Sequence, residues 1–164
     1  MRPQDVPILL KIAIWEEKEW SMKALAQQLH LSPTEISFSL DRSLEAGLID
    51  HHKKRVQRHA FLEFLLHGFR YVFPAHIGGP AKGIPTALSH PYFQKSFRSE
   101  FEHVWPFYKG TSQGLSIAPL YEKQVEAALE DEQLHQALAM TDVLRIGRKR
   151  ELQMAADGLE SLLT

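Results

Sequence analysis

SMKALAQQLHLSPTEISFSLDRSLEAGLID, residues 21–50, is the stretch on which the fold turns. Ser21 is a good N-cap for a short helix that carries Leu25, Ala26 and Leu29 on one face. Ser32-Pro33-Thr34-Glu35 opens a second helix: a capping serine, a proline suited to the first helical position, and a glutamate three residues after the cap. Ile36, Leu40 and Leu44 lie four apart on one stripe, and Gly47 stops the helix. Leu48-Ile49 then reads as a short strand. Ala26 is small enough for the two helices to cross closely. Leu25, Leu29, Ile36 and Leu40 form the wedge that sets their angle.

Working outward, Pro3 to about Trp15 reads as a further helix, with Val6, Leu9, Leu10, Ala13 and Ile14 at helical spacing. After the strand, His51-His52-Lys53-Lys54-Arg55-Val56-Gln57-Arg58 holds four formal positives and no acid. Residues 1–50 hold five basic and eight acidic side chains, a net of −3, so positive charge is concentrated just past the strand.

This pattern resembles the winged helix-turn-helix of DNA-binding regulators, broadly the MarR-like kind, over about residues 5–58 only. Ser21, Leu25, Ala26, Leu29, Leu31, Ser32, Ile36, Leu40, Leu44, Ala46, Gly47, Leu48 and Ile49 carry the likeness. It implies that helix 32–46 enters the major groove of double-stranded DNA and that the 51–58 wing lies on the backbone. Ser32, Thr34 and Ser37 are then donors to phosphates or base edges, and Phe38 shares their exposed flank. Arg42 is the side chain there able to read guanine bidentately. Lys53, Lys54, Arg55 and Arg58 contact phosphates, which for four contacts gives a salt slope of roughly −3 to −4. The chain departs from the pattern where such helices often present Arg or Lys, at Phe38 and Asp41; with Glu35 and Glu45 the helix is acidic. The alternative is an antitoxin-like or adaptor protein that uses the winged helix, and Phe38 in particular, for a protein partner.

Residues 59–73 are apolar on most sides and read as a buried helix ended by Pro74, with His67 as a hydrogen-bonded core residue. Residues 74–92 hold four prolines and three glycines and read as a loop. Val104–Phe107 and Leu115–Ala118 suggest a short β-hairpin around the turn 109–114. Helices follow over Asp131–Ile146, stopped by Gly147, and over Arg148–Leu163. The aromatic group at Tyr92, Phe93, Phe97, Phe101, Trp105, Phe107 and Tyr108 packs this extension onto the first unit or lines a pocket. The expected architecture is therefore mainly α. It has an N-terminal winged-helix domain with a minimal wing over 1–73, and an extension of loop, hairpin and two helices over 74–164 that serves dimerisation or partner binding.

Composition narrows the function. The chain has 164 residues, 44% hydrophobic and 24% charged, with a net charge of −1, so nucleic-acid binding must rest on local charge. It has no cysteine, which excludes thiolate zinc sites, iron–sulfur clusters and a cysteine nucleophile, and fits a cytoplasmic protein. No apolar run approaches the ~20 residues of a membrane helix, and the N-terminal residues lack a signal-peptide pattern. Gly110-Thr111-Ser112-Gln113-Gly114 spells a nucleophile elbow but precedes a strand-like segment rather than a helix. Gly78-Gly79-Pro80-Ala81-Lys82-Gly83 fails the phosphate-loop pattern. The nine histidines form no metal motif. Arg145 to Arg150 is a second basic cluster at a helix junction, which reads as a C-cap region where cations favour the helix end, with Arg148 to Arg150 solvated. The reading is a DNA-binding transcriptional regulator, a repressor acting as a homodimer, without catalytic residues, cofactor or metal. The 59–73 and 148–163 helices are its candidate dimer contacts.

Overall fold

The computed structural model describes all residues except 16–18. Three helices come first: α1 (Asp5–Trp15), α2 (Met22–Leu29) and α3 (Pro33–Glu45). Their ends are set locally. The Ser21 hydroxyl accepts from the Ala24 N–H at 3.0 Å. His30 adopts the left-handed conformation that closes α2, and the Leu31 N–H returns to the Ala26 carbonyl. Ser32 and Glu35 form the reciprocal capping box read from the sequence, at 3.1 and 2.8 Å. Past α3, Gly47 takes a φ of +73°, which any side chain would strain, and the Leu48 N–H bonds the Ser43 carbonyl at 2.9 Å.

The wing is minimal. One bridge, Ile49 to Val56, stands for its two strands. Asp50 shapes the loop between them, accepting from the N–H groups of Lys54 and Arg55 at 2.6 and 2.9 Å. Burial opposes ionisation of this carboxyl, but those two donors outweigh it and hold its pKa below the ordinary value.

The chain continues through α4 (Arg58–His67) and the single turn α5 (Phe69–Val72), broken at Gly68. Here the expectation of one buried helix over 59–73 is corrected. Phe61, Leu62, Leu65 and Phe69 are buried, but Tyr71 is 77% exposed and Val72 53%. His67 is not a core residue; its ring is largely exposed, 3.9 Å from Glu63. The helix buried on all sides is α1, whose residues 5–13 are all covered. It packs against α2 and α3 on one side and against α8 and α9 on the other.

The expected loop over 74–92 contains a strand, β1 (Ile77–Pro85), followed by a 3-10 turn at Ala87–Ser89 and a short helix α6 (Pro91–Gln94). β2 (His103–Pro106) and β3 (Ser112–Ile117) fall close to the expected strands, but they do not form a hairpin. Each runs antiparallel to β1, on opposite edges, so they are parallel to one another where they touch at His103–Leu115 and Val104–Ser116. Every strand thus has the other two as partners. Such tight curling needs backbone contact. A Cβ on Gly83 would lie 1.9 Å from the Trp105 carbonyl oxygen, so only glycine fits there.

Three helices close the chain: α7 (Gln124–Leu129), α8 (Glu132–Ile146), capped by Asp131, and α9 (Lys149–Leu163). The architecture is mainly α, as the sequence reading has it. One core runs through both halves, joining Leu9, Leu10 and Phe61 to Leu138, Ala155 and Leu159. Polar contacts cross the same seam. Lys11, almost wholly buried, pairs with Asp131 at the start of α8, and the Tyr121 hydroxyl donates to the Leu29 carbonyl at 2.9 Å. Among the described residues, no helix is long and apolar enough to cross a membrane.

Candidate nucleic-acid interface

The outer face of α3 stays open. Its inner stripe, Ile36, Ser39, Leu40 and Ser43, is buried. Ser39 and Ser43 are fully buried on that stripe, a burial the sequence pattern did not disclose. Ser32, Thr34, Glu35 and Asp41 are exposed, Ser37 is half-buried, and Phe38 is 59% exposed. α3 packs on α1 and α2, and its outer flank is left free by the C-terminal half.

Two of the three carboxylates on that helix are already engaged. Glu35 accepts from the Ser32 N–H in the capping box. Asp41 pairs with Lys53, which fixes the wing loop beside the middle of α3. Lys53 reaches that position with a φ of +57°. The wing is held from below by Trp20. Its indole N–H donates to the Lys54 carbonyl at 3.1 Å, and the Lys54 ammonium donates to the Trp20 carbonyl at 3.1 Å while lying 4.3 Å from the centre of the indole ring. Sequence reasoning passed over Trp20; the only signal was an aromatic residue directly before the cap of α2.

The expected site residues therefore separate into two groups. Ser32, Thr34, Ser37 and Phe38 share one flank, with Lys53, Lys54 and Arg55 on the adjoining wing. Arg55 is exposed, and its guanidinium has no hydrogen-bond or ion-pair partner among the described residues. Arg42 and Arg58 are drawn into the fold instead. Arg42 grips the fully buried Asp5 with two hydrogen bonds, 2.9 Å from Nε and 2.6 Å from Nη2. That hydrogen bonding to Asp5, set against burial, raises its pKa further above the ordinary arginine value. Reading a guanine would require leaving a buried carboxylate unpaired, so Arg42 acts as the lock between α1 and α3. Arg58 donates to the Ala13 carbonyl at 3.0 Å and to the Leu162 carbonyl at 3.3 Å, joining the ends of α1 and α9.

The C-terminal half holds a second polar centre, wholly interior. Asp142 accepts from the Thr86 hydroxyl at 2.6 Å, from the Trp105 indole at 2.8 Å and from Arg145 at 2.5 Å. Arg145 is thus a buried member of the network and not simply a cation at a helix end. Around this centre stand His90, His103 and His135. Burial lowers the pKa of all three, and for His90, whose ring lies 4.6 Å from that of His135, down to about 4. Of the aromatic group, Phe93 and Trp105 are core residues, whereas Phe101 and Tyr108 are exposed. Ser112 lies in β3, not on a strand-to-helix turn. No group of three or more metal-ligating side chains comes together among the described residues. Compared with known proteins, the chain matches no family model, no curated protein and no solved structure.

Proposed function

We propose that the protein is a DNA-binding transcriptional regulator of the winged-helix kind, with α3 in the major groove and the wing on the adjacent backbone. The observation that carries this reading is the open flank of α3 with the wing cations fixed beside it, as the Lys53–Asp41 pair records. At the first turn of α3 the capping box takes the N–H groups of Ser32 and Glu35 and Pro33 has none, so the Thr34 N–H and the Ser32 and Thr34 hydroxyls are what it offers to a phosphate, an anion that the positive end of the helix dipole favours. Ser37 and Phe38, one turn deeper, face base edges; the phenyl ring suits a thymine methyl. Lys53 and Asp41 are both well exposed, so their ion pair is worth about 0–1 kcal/mol and exchanges readily for a phosphate contact. With Arg58 held inside, the exposed Arg55 remains for the backbone together with Lys53 and Lys54, which must exchange Asp41 and the Trp20 carbonyl for phosphates, and the expected salt slope falls to roughly −3.

A binding selection on random duplexes tests this. The wild type is expected to enrich a short motif, and Thr34→Ala, Ser37→Ala and Phe38→Ala together are expected to blur it without unfolding the chain. Recovery of no motif, at any salt, overturns the reading. A second reading, docking of a protein partner on the same flank, is favoured by the exposed Phe38 ring and by Glu45, which stays near the end of α3. It predicts capture of a partner that Phe38→Ala abolishes, with no DNA retardation even at low salt.

A further inference from the structure

α4 and α9 pack side by side in opposite directions: Arg58, at the start of α4, reaches the Leu162 carbonyl near the end of α9. Between the later part of α4 and the outer side of α9 runs a groove of about 530 Å³. Its apolar floor includes Leu66, Leu152 and Ala156, all only half covered. Its ends carry opposite charge. Lys149 marks one end, with Arg70 drawn towards it because α4 and α9 run oppositely; Asp157 and Glu160 mark the other. Among the described residues none of these four side chains enters an ion pair.

The order of these charges is unfavourable for α9 itself. The first turn of a helix favours acids and the last turn favours bases. α9 opens on Arg148-Lys149-Arg150, and its last turn carries Glu160 and no base; Glu151, in the capping box, follows the rule. A local rule broken on an exposed face marks an outside requirement that overrides it. A partner helix with the ordinary order, acidic in its first turn and basic in its last, answers the groove when it lies parallel to α9. Its acids meet Lys149 and Arg70, and its bases meet Glu160 and Asp157. Lys149 and Glu160 are about 16 Å apart along α9, or about three helical turns, so one helix of that length engages both ends while its apolar stripe rests on the floor between them. We infer that this groove docks an amphipathic helix of another protein, with an apolar stripe flanked by acids at one end and bases at the other. A second copy of α9 is poorly matched, since the antiparallel register that brings Lys149 to Glu160 also brings Leu152 to Asp157. The contact requires no DNA, and it stands or falls independently of what α3 binds.

The test measures binding of three synthetic peptides to the full chain by fluorescence anisotropy. All three are locked as helices of about three turns and share one leucine stripe. The first carries glutamates in its first turn and lysines in its last; the second carries glutamates at both ends, and the third lysines at both. The wild type is expected to bind the first about tenfold more tightly than either of the others, because each of those sets like charges together at one end. Arg70→Glu with Lys149→Glu makes both ends of the groove acidic and is expected to move the preference to the lysine peptide. Asp157→Lys with Glu160→Lys makes both ends basic and is expected to move it to the glutamate peptide. On α9 the new charges follow the helix dipole, so folding is preserved and circular dichroism verifies it. Equal binding of the three peptides, binding of none, or variants that keep the wild-type preference would each overturn the inference. So would a wild type that is dimeric in light scattering and becomes monomeric in either variant, because a second copy would then fill the groove.

Discussion

The two halves of the chain set their polar groups in opposite places. Around the wing, three cations lie at the rim: Lys53 on Asp41, Lys54 on Trp20, Arg55 in solvent. In the C-terminal half one carboxylate, Asp142, turns inward and gathers a hydroxyl, an indole and a guanidinium. The rim arrangement suits an exchange of partners, because the Lys53–Asp41 pair is exposed and weak and Arg55 is free in solvent, while the half-buried Lys54–Trp20 contact holds the wing in place. The interior arrangement suits rigidity, because each missing partner leaves a buried polar group unsatisfied. Exchangeable contacts and rigid ones are thereby separated along the chain, and mutations on either side are expected to show it.

Asp142→Ala is the most damaging change expected. It strands the buried Arg145, Trp105 and Thr86 donors together, and should lower stability by about 3–5 kcal/mol in urea unfolding. A loss under 1 kcal/mol would mean the centre is dispensable. Arg42→Ala crosses the division, since Arg42 lies on the rim helix but holds the buried Asp5. With its side chain partly exposed, a cost of about 2–3 kcal/mol is expected. Unchanged stability combined with relaxed base specificity would return Arg42 to the interface.

Acid should weaken the interior before the rim. The folded-state pKa values of His90, His103 and His135 lie below the ordinary 6.5, so the unfolded chain binds protons that the folded chain refuses. Their contribution is complete above about pH 6.5 and is lost as pH falls towards 4. For His90 alone, 5% exposed, this is on the order of 2–3 kcal/mol. Unfolding measured at pH 7.5 and pH 5 checks it, and His90→Gln should flatten the difference; equal stability at both values would refute the burial argument. Ser32→Ala, a cap on the rim, should cost only about 1 kcal/mol, read as a small fall in melting temperature. A larger loss would mean that the rim, too, is built for rigidity.

The same division decides what was legible in the sequence. Ser21, Ser32, Glu35 and Gly47 act on backbone groups within a few residues, so their types and spacing were enough to place α2, α3 and the turn between them. Beside their local bonds to Arg2 and Arg145, Asp5 and Asp142 hold Arg42, Trp105 and Thr86, each 37 positions or more away, and nothing near them in the chain announces those distant partners. β1 reads as a loop because its glycines and prolines disfavour a strand in isolation; Gly83 is required only once Trp105 lies against it. The α1 helix hid its central position behind Asp5 and Lys11, two charges whose partners come from α3 and from the start of α8. The 59–73 run misled in the opposite sense, since Tyr71 and Val72 look buried by composition and are not. At the candidate interface, the pattern identified the helix and the wing. It did not distinguish the wing cations, which stay at the surface, from Arg42 and Arg58, which tie buried parts of the chain together.

The wing is where the account is most exposed to test. Binding to a selected duplex should be measured against salt for the wild type and for Lys53→Ala, Lys54→Ala and Arg55→Ala combined, with unfolding run in parallel. The account predicts that affinity falls with salt with a slope of roughly −3 and that the triple variant loses most of that slope while remaining folded. An unchanged slope, or no retention of DNA by the wild type at low salt, would contradict it.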